Sequence, residues 1–199
     1  MITSDLILKI KSLSNNAKII LKLTKDKSYQ DFIYVEAELK PYFTDKQINE
    51  ALKELASINI INEDTKNLLI EPLIKKVKRD KEILQISVNV FLLTFLKDHH
   101  SSIDDFIAIS RADKKTCLLF ALLVDRSSSI YDGEGLKLSF NSIKASLQVY
   151  GKYKDLKDIQ KNLISKPIGF INKTLNPEKH IYTYEYINNK SVLFDLATE

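Results

Sequence analysis

Apolar residues recur at helical spacing most clearly in residues 44–58 ("TDKQINEALKELASI"). The positions that share one helix face are Ile48, Ala51, Leu52 and Leu55. Thr44 and Gln47 stand three positions apart just before this stripe, which is the spacing of a capping box. The segment therefore predicts an amphipathic helix that begins after Thr44 and buries one side.

The rest of the N-terminal half predicts one more long helix and several strands. A helix is expected after Ser14, which is a suitable cap, and a strand at Phe32–Val35 is expected to lead into a short helix. Two further strands are expected at 67–77 and 82–90, because apolar and polar residues alternate in the second of them. The charged residues 78–81 mark the turn between these two strands.

The C-terminal half predicts the same order of elements. They are a helix in 110–128, a strand in 136–140, a short helix in 141–151, a long basic helix in 153–175, and strands in 180–187 and 191–196. The first of these helices has an apolar stripe formed by Thr116, Leu119, Phe120 and Leu123. Asn188 and Asn189 separate the last two strands, and asparagine tolerates the positive φ that a tight hairpin turn needs.

Helix, strand, helix, helix and hairpin, in this order, are the elements of a winged-helix domain. Such a domain contains a helix-turn-helix motif, and the second helix of that motif can enter the DNA major groove. Because the order occurs twice, we expect an α+β protein built from tandem winged-helix domains. The polar stretch "KDHHSSIDD" separates two apolar runs and indicates the boundary. The predicted domains are residues 1–98, for dimerisation or accessory DNA contacts, and residues 99–199, for the main DNA contacts.

The composition is that of a globular protein. Hydrophobic residues make up 44% of the 199 positions and charged residues 28%, while Gly and Pro occur four times each. Cys117 is the only cysteine and lies in an apolar run, so we expect a buried, inert thiol and no internal disulfide. The run Cys117–Val124 is too short to cross a bilayer, and the first residues do not have the pattern of a signal peptide. We therefore expect a cytoplasmic protein.

Basic residues are concentrated in the C-terminal half, although the whole chain carries a formal charge of only +4. Residues 101–136 contain four basic and six acidic side chains, whereas residues 137–190 contain ten lysines and four acidic side chains. Between Ser139 and Leu175, seven lysines are accompanied only by Asp155 and Asp158. Such an excess is typical of a surface that binds phosphate.

The helix in 153–175 carries most of the candidate DNA-contacting side chains. Its positions expected in the core are Leu156, Ile159, Leu163, Ile164, Ile168 and Ile171. Lysines suit a phosphate backbone, and Gln and Asn can pair with adenine edges. The predicted contact residues are Lys152, Lys154, Lys157, Gln160, Lys161, Asn162, Ser165 and Lys190, with Lys78 and Arg79 in the first copy. Pro167 should weaken the helix and leave base reading to its N-terminal half. A second face of this helix is expected to carry a lysine stripe at i, i+3, i+4 spacing, formed by Lys154, Lys157, Lys161 and Ser165. A solvated surface is the alternative explanation of this stripe.

The hairpins would act as wings beside these helices. The wing residues of the second copy are Lys179, His180, Asn188, Asn189 and Lys190. Those of the first copy are Lys75, Lys76, Lys78, Arg79 and Lys81, which fit phosphate contacts or a solvated turn equally well. The exposed side of the first copy's second helix mixes both signs of charge, so that copy is expected to dimerise or to make accessory contacts.

Patterns for catalysis or cofactor binding are absent from the sequence. It contains no Gly-rich phosphate loop, no Cys pair and no His spacing suited to a metal. The three histidines are expected at the surface, and Asp104 and Asp105 suit a helix N-terminus. The tyrosines of the strand in 180–187 are expected to pack on the sheet, because a tyrosine nucleophile for DNA cleavage would need a His-rich metal site. We expect no enzymatic activity, no cofactor and no metal.

Residues 136–196 place a short strand and helix before a Tyr-basic helix, followed by a Pro, an Ile-Asn pair, an aromatic strand and a last strand with Phe. The residues that carry this pattern are Tyr153, Lys154, Pro167, Ile171, Asn172, Tyr182, Tyr184 and Phe194. The pattern resembles the second winged-helix domain of the iteron-plasmid replication initiators, the Rep family. Residues 71–96 and the helix that follows them are similar to the first domain of that family.

The resemblance implies binding to direct repeats of double-stranded DNA at a plasmid-like origin, opening of a nearby AT-rich segment with host replication proteins, and autorepression as a homodimer. Two features depart from the family: "TCLLFALLVDR" replaces a basic-Leu-Tyr-Glu-Leu core, and Lys stands where Arg is frequent, which weakens bidentate guanine reading. The alternatives are a transcriptional regulator of the same fold and a protein-interaction module. Origin melting distinguishes the initiator from the regulator, and salt-sensitive duplex binding distinguishes both from the interaction module.

Overall fold

The chain forms two compact units, each with helices and small antiparallel sheets, so the fold is α+β as predicted. The computed structural model describes residues 2–24, 32–35, 39–64, 67–80, 83–89, 94, 96–175 and 181–197. We call residues 4–107, with Ile2, the N-terminal unit, and residues 108–199, with Thr3, the C-terminal unit. The division therefore falls at 107–108, whereas the polar stretch of the sequence placed it at 98–99.

The N-terminal unit begins with helices α1 (Ile2–Ser12) and α2 (Asn15–Thr24). The hydroxyl of Ser14 accepts a hydrogen bond from the N–H of Ala17 at 3.2 Å, so the predicted cap of α2 is confirmed. The sequence pattern did not indicate α1 as a separate helix.

Helix α3 (Asp45–Ala56) has the predicted capping box. The N–H of Gln47 donates to Thr44 Oγ1 at 3.3 Å, and the N–H of Thr44 donates to Gln47 Oε1 at 2.8 Å. The predicted apolar stripe is buried at all four positions, Ile48, Ala51, Leu52 and Leu55. Capping and amphipathicity therefore specify this helix locally.

In the described part of the N-terminal unit, five strands form two sheets. Strands β1 (Phe32–Val35), β4 (Ile74–Asp80) and β5 (Ile83–Val88) form an antiparallel sheet in the order β1–β5–β4. Strands β2 (Asn59–Asp64) and β3 (Asn67–Pro72) form a separate hairpin.

The single strand expected at 67–77 is wrong, because the chain changes sheets at Leu73. Pro72 ends β3 and has no N–H to donate to a strand ladder. Leu73 is fully buried, its N–H donates to the carbonyl of Ile58 at 2.7 Å, and its carbonyl accepts the N–H of Asn89 at 2.9 Å. Partners distant in sequence therefore fix the point at which one predicted strand becomes two.

Around the division between the units lies α4 (Ile103–Ile109), with Asp104 and Asp105 in its first turn as predicted. The N–H of Ser102 donates to Asp105 Oδ2 at 2.9 Å, and the N–H of Asp105 donates to Ser102 Oγ at 3.3 Å. These reciprocal bonds satisfy two backbone donors at the start of the helix.

The C-terminal unit follows the predicted element order. Its elements are α5 (Lys114–Asp125), α6 (Ser127–Tyr131), β6 (Leu136–Ser139), α7 (Phe140–Ser146), a long helix over residues 156–174, β7 (Tyr182–Asn188) and β8 (Ser191–Leu196). Its antiparallel sheet has the order β6–β8–β7. This order matches the β1–β5–β4 order of the N-terminal unit, since in both sheets the earliest strand pairs with the last one.

Helix α5 is buried around its whole circumference rather than along one stripe. All nine residues from Thr116 to Val124 are buried, including those outside the predicted stripe. A helix that is apolar on all sides is stable only when it is enclosed. Cys117 is fully buried and its thiol lies 3.3 Å from the carbonyl oxygen of Ile109, so the predicted burial of this cysteine is confirmed.

The long helix contains a π-helical turn. It consists of α8 (Leu156–Ile159), a π-helical segment (Gln160–Ser165) and α9 (Lys166–Thr174). The N–H of Lys166 donates to the carbonyl of Lys161, five residues earlier. Pro167 follows directly, and its ring crowds the carbonyl four residues before it, so a wider turn accommodates the proline. The predicted weakening of the helix at Pro167 is thus observed as a locally wider helical turn.

The apolar side of this helix agrees with the prediction at most positions. The buried residues are Ile159, Leu163, Ile164, Ile168 and Ile171, whereas Leu156 is half-buried. Burial of these five side chains fixes which part of the helix surface is left to solvent.

Candidate nucleic-acid interface

Five of the predicted DNA-contacting residues of the C-terminal unit are exposed lysines, which we call the lysine set: Lys152, Lys154, Lys157, Lys161 and Lys190. Among the residues that the structure describes, no carboxylate lies within 4.0 Å of any of their ammonium groups. Lys157 and Lys161 are one turn apart on the helix, whereas Lys152 and Lys154 precede its first residue, Leu156. The expectation that Lys154 belongs to the helical stripe is therefore wrong.

The backbone before the helix holds Lys152 and Lys154 in a defined place. Positive φ angles occur at Gln148 (56°), Gly151 (73°) and Tyr153 (54°). Residues other than glycine adopt this region at a cost, so it persists only where neighbouring groups hold the chain. Lys115 of α5 provides such a contact, because its Nζ donates to Tyr153 Oη at 3.1 Å and lies 5.4 Å from the centre of the tyrosine ring.

The first turn of the helix uses a nearby acidic side chain as its cap. The N–H of Lys157 donates to Asp155 Oδ1 at 2.7 Å. Asp155 and Asp158 are both exposed and lie at the helix N-terminus, where carboxylates interact favourably with the helix dipole. The carboxylate of Asp155 is thus directed at the backbone, and the lysine side chains remain available to other anions.

The prediction that Ser165 stands beside the lysines on an exposed stripe is wrong. Ser165 lies half-buried against strand β7. Tyr184 Oη donates to Ser165 Oγ at 3.0 Å, and the hydroxyls of Ser165 and Tyr186 are 3.3 Å apart. Ser165 Oγ and Tyr186 Oη also donate to the carbonyl of Gln160, at 3.1 Å and 3.4 Å. A π-helical turn winds more residues per turn than an α-helix, so the i, i+4 spacing no longer maps onto one face.

Burial raises the pKa of Tyr186 above its usual value of 10.0. The hydrogen bond with Ser165 partly offsets this rise, and the neighbouring Tyr184 adds to it. Because the neutral phenol is favoured, Tyr186 keeps its proton and can donate it at physiological pH.

Gln160 and Asn162 are half-buried, in contrast to the lysines. Both lie in the π-helical segment, and the backbone carbonyl of Gln160 is occupied by hydroxyl groups of Ser165 and Tyr186. Only part of each amide side chain is therefore accessible to a base edge.

The β7–β8 hairpin forms at the predicted place, with Lys190 exposed in its turn. The prediction that an asparagine with positive φ makes this turn is wrong, because neither Asn188 nor Asn189 is among the residues with positive φ in the described part of the chain. Asn188 Oδ1 instead accepts the N–H of Lys190 at 2.8 Å and the hydroxyl of Ser191 at 3.0 Å. The predicted wing residues Lys179 and His180 lie outside the described residues.

Asn172 is a positioning residue, which the sequence offered only as part of the Ile-Asn pair of the family resemblance. Its Nδ2 donates to the carbonyl of Tyr182 at 2.8 Å, and its Oδ1 accepts the N–H of Tyr182 at 2.9 Å. This pair of bonds attaches the start of β7 to α9. The signal in the sequence was a single polar residue next to the buried Ile171 near the end of an amphipathic helix.

Lys78 and Arg79 are not in a turn, contrary to the prediction for the first copy. Both lie within β4, where Lys78 pairs with Gln85 and Arg79 with Leu84 of the neighbouring strand. Regular pairing continues to Asp80, so charged residues here extend a strand instead of ending it. Lys78 is exposed and remains available as an accessory contact.

Within the described ranges, no group of three or more His, Cys, Asp or Glu residues is arranged to hold a metal ion. No described helix has both the length and the apolar character needed to cross a membrane. Of the adjacent histidines, His100 is exposed as predicted and His99 is half-buried.

Comparison with known proteins yields no assignment, since no protein-family model matches the chain and no curated protein matches it significantly.

Proposed function

We propose that this protein binds double-stranded DNA sequence-specifically and initiates replication of a plasmid-like replicon by binding direct repeats at its origin. In this proposal each unit is a winged-helix domain, the C-terminal unit makes the main DNA contacts, and the N-terminal unit supports dimerisation or accessory contacts. Host replication proteins would join the complex at the origin.

The element order supports this proposal. Helix α5, strand β6, helix α7, the helix of residues 156–174 and the β7–β8 hairpin occur in the order of a winged helix. The helix of residues 156–174 would be the recognition helix and the hairpin would be the wing. The shared strand order of the two three-stranded sheets supports the tandem arrangement, with the β2–β3 hairpin as an addition to the first copy.

The observation that carries the proposal is the lysine set. All five side chains are exposed, and none has a carboxylate within 4.0 Å in the described part of the chain. Ammonium groups that lack internal partners release counterions when they meet phosphate, which makes duplex binding favourable and salt-dependent. Four of the five lie at or just before the start of the long helix, where a recognition helix contacts DNA.

The test is fluorescence anisotropy of a labelled duplex at several salt concentrations. If all five lysines meet phosphates, log K falls with log salt at a slope of about −4.5, and the double variant Lys157→Ala/Lys161→Ala reduces it to about −2.7. The matched control is Lys22→Ala/Lys53→Ala, which removes the same charge from exposed positions of α2 and α3 in the N-terminal unit.

The proposal predicts that the control double variant retains nearly the full slope. Equal losses in both double variants would mean that net charge alone governs binding, and an absence of salt-sensitive duplex binding would refute the proposal. Specificity is tested on the DNA that adjoins the coding sequence. An initiator requires repeats beside an AT-rich tract in this DNA. Permanganate footprinting then detects whether the protein opens that tract.

A further inference from the structure

An exposed tyrosine stands next to the lysine set. Tyr150 is 74% exposed, although the side chains just before it are packed inside, with Leu147 at 1% and Val149 at 7% exposure. The exposure of its ring is therefore not shared by the neighbouring apolar residues of the same segment.

Hydrogen bonds on both sides fix the backbone that carries Tyr150. The N–H of Val149 donates to the carbonyl of Lys144 at 3.0 Å, and the N–H of Lys152 donates to the carbonyl of Val149 at 3.2 Å. Gln148 and Gly151, which flank Val149 and Tyr150, both have positive φ. A backbone held in such conformations does not have to be ordered again when the side chain that it carries makes a contact.

The segment that follows Tyr150 in the sequence is cationic. Lys152 and Lys154 follow it within four residues and are both exposed, and Asp155, the first acidic residue after it, caps the helix. A phenol hydroxyl is a neutral donor, and tyrosine is among the side chains that bind DNA phosphates through such a donor.

We propose that Tyr150 is a DNA-contacting residue whose hydroxyl donates a hydrogen bond to a backbone phosphate of the duplex, beside the phosphates bound by Lys152 and Lys154. The inference rests on the proposed function and adds a contact that carries no charge. Its loss therefore lowers the affinity without changing the salt dependence, whereas loss of a lysine changes both.

The test compares Tyr150→Phe with the matched control Tyr42→Phe by anisotropy on the same duplex. Tyr42 is 77% exposed and lies in the N-terminal unit, so the two substitutions remove the same hydroxyl from equally exposed rings. Because a hydrogen bond to a charged group contributes more than a neutral one, Tyr150→Phe should weaken binding about tenfold at an unchanged salt slope, and Tyr42→Phe should leave binding unchanged. Thermal melting of both variants should match that of the unsubstituted protein.

The outcomes separate this inference from the proposed function. If Tyr150→Phe binds normally while Lys157→Ala/Lys161→Ala loses affinity, the inference is overturned and the proposed function stands. Retained binding by Tyr150→Phe with loss in Tyr150→Ala would also overturn it, since the ring and not the hydroxyl would make the contact. If the unsubstituted protein shows no salt-sensitive duplex binding, both are overturned.

Discussion

The attachment of the hairpin to α9 can be tested by replacing Asn172. Its side chain makes two short hydrogen bonds, at 2.8 Å and 2.9 Å, to the carbonyl and the N–H of Tyr182. Tyr182 is only 4% exposed, so water cannot readily replace the lost partners. Asn172→Leu keeps the number and branching of the side-chain heavy atoms and removes both bonds.

The expected loss follows from the two backbone hydrogen bonds of Tyr182 that this change removes. Each partly buried group without a hydrogen bond costs about 1–3 kcal/mol, and because Asn172 itself is half-buried, we expect a total near the lower end, about 2–4 kcal/mol. Asn172→Asp retains an acceptor for the N–H of Tyr182, but it replaces the donor to its carbonyl by a carboxylate oxygen that repels it, so it should lose at least as much stability as Asn172→Leu.

Urea unfolding measures the free energy of unfolding. Amide hydrogen exchange at Tyr182 reports on the hydrogen bond from its N–H to Asn172 Oδ1. We expect a lower urea midpoint in both variants and faster exchange at Tyr182 in Asn172→Leu. Asn141→Leu, at an exposed position of α7, is the control. An Asn172→Leu protein with the original midpoint and the original exchange rate would show that the two hydrogen bonds do not hold the hairpin.

Two further changes test local features of the C-terminal unit. At Gly135 (φ 66°) an added Cβ would lie 2.8 Å from Leu193 Cδ1, whereas at Gly133 (φ 76°) it would meet nothing within 4 Å. Gly133→Ala should therefore cost about 1 kcal/mol of unfolding free energy from backbone strain alone, and Gly135→Ala about 1–3 kcal/mol more, so equal urea midpoints would contradict the packing argument. The raised pKa of Tyr186 favours its protonated form in the folded state, so this stabilisation is complete below pH 10 and is lost as the pH rises through the folded-state pKa. Unfolding free energies measured from pH 9 to 11 should fall less steeply in Tyr186→Phe, and identical slopes would count against this assignment.

The sequence predicted those elements whose signals are local. The capping box of Thr44 and Gln47, the cap at Ser14 and the buried stripe of α3 depend on residues within one or two turns of each other. Chemistry and spacing therefore define them before any tertiary contact forms. The same holds for the β7–β8 hairpin, because its short turn brings two consecutive strands into antiparallel pairing.

The exposure of the lysines also followed from the sequence, because lysines opposite a strongly apolar stripe have only the solvent side of a helix to occupy. Lys157 and Lys161 occupy it. The position of Ser165 did not follow, because a π-helical turn shifts the residues that come after Gln160. That turn is associated with Pro167, and the carbonyl of Gln160 in it accepts from Ser165 within the turn and from Tyr186 of β7, a strand distant in sequence.

Tertiary structure alone decided the features that rely on partners far along the chain. The change of sheet at Leu73 depends on backbone groups of Ile58 and Asn89, and the strand identity of Lys78 and Arg79 depends on pairing with β5. A sequence of alternating residues shows that a strand is possible, but not which strand it pairs with, because the hydrogen-bonding groups of every backbone are alike. The sequence by itself thus determined the capped helices, the excess of lysine and the closing hairpin, whereas the folded chain decided the sheet partners, the direction of Ser165 and the exposure of Tyr150, since each of these depends on which distant groups occupy the neighbouring space.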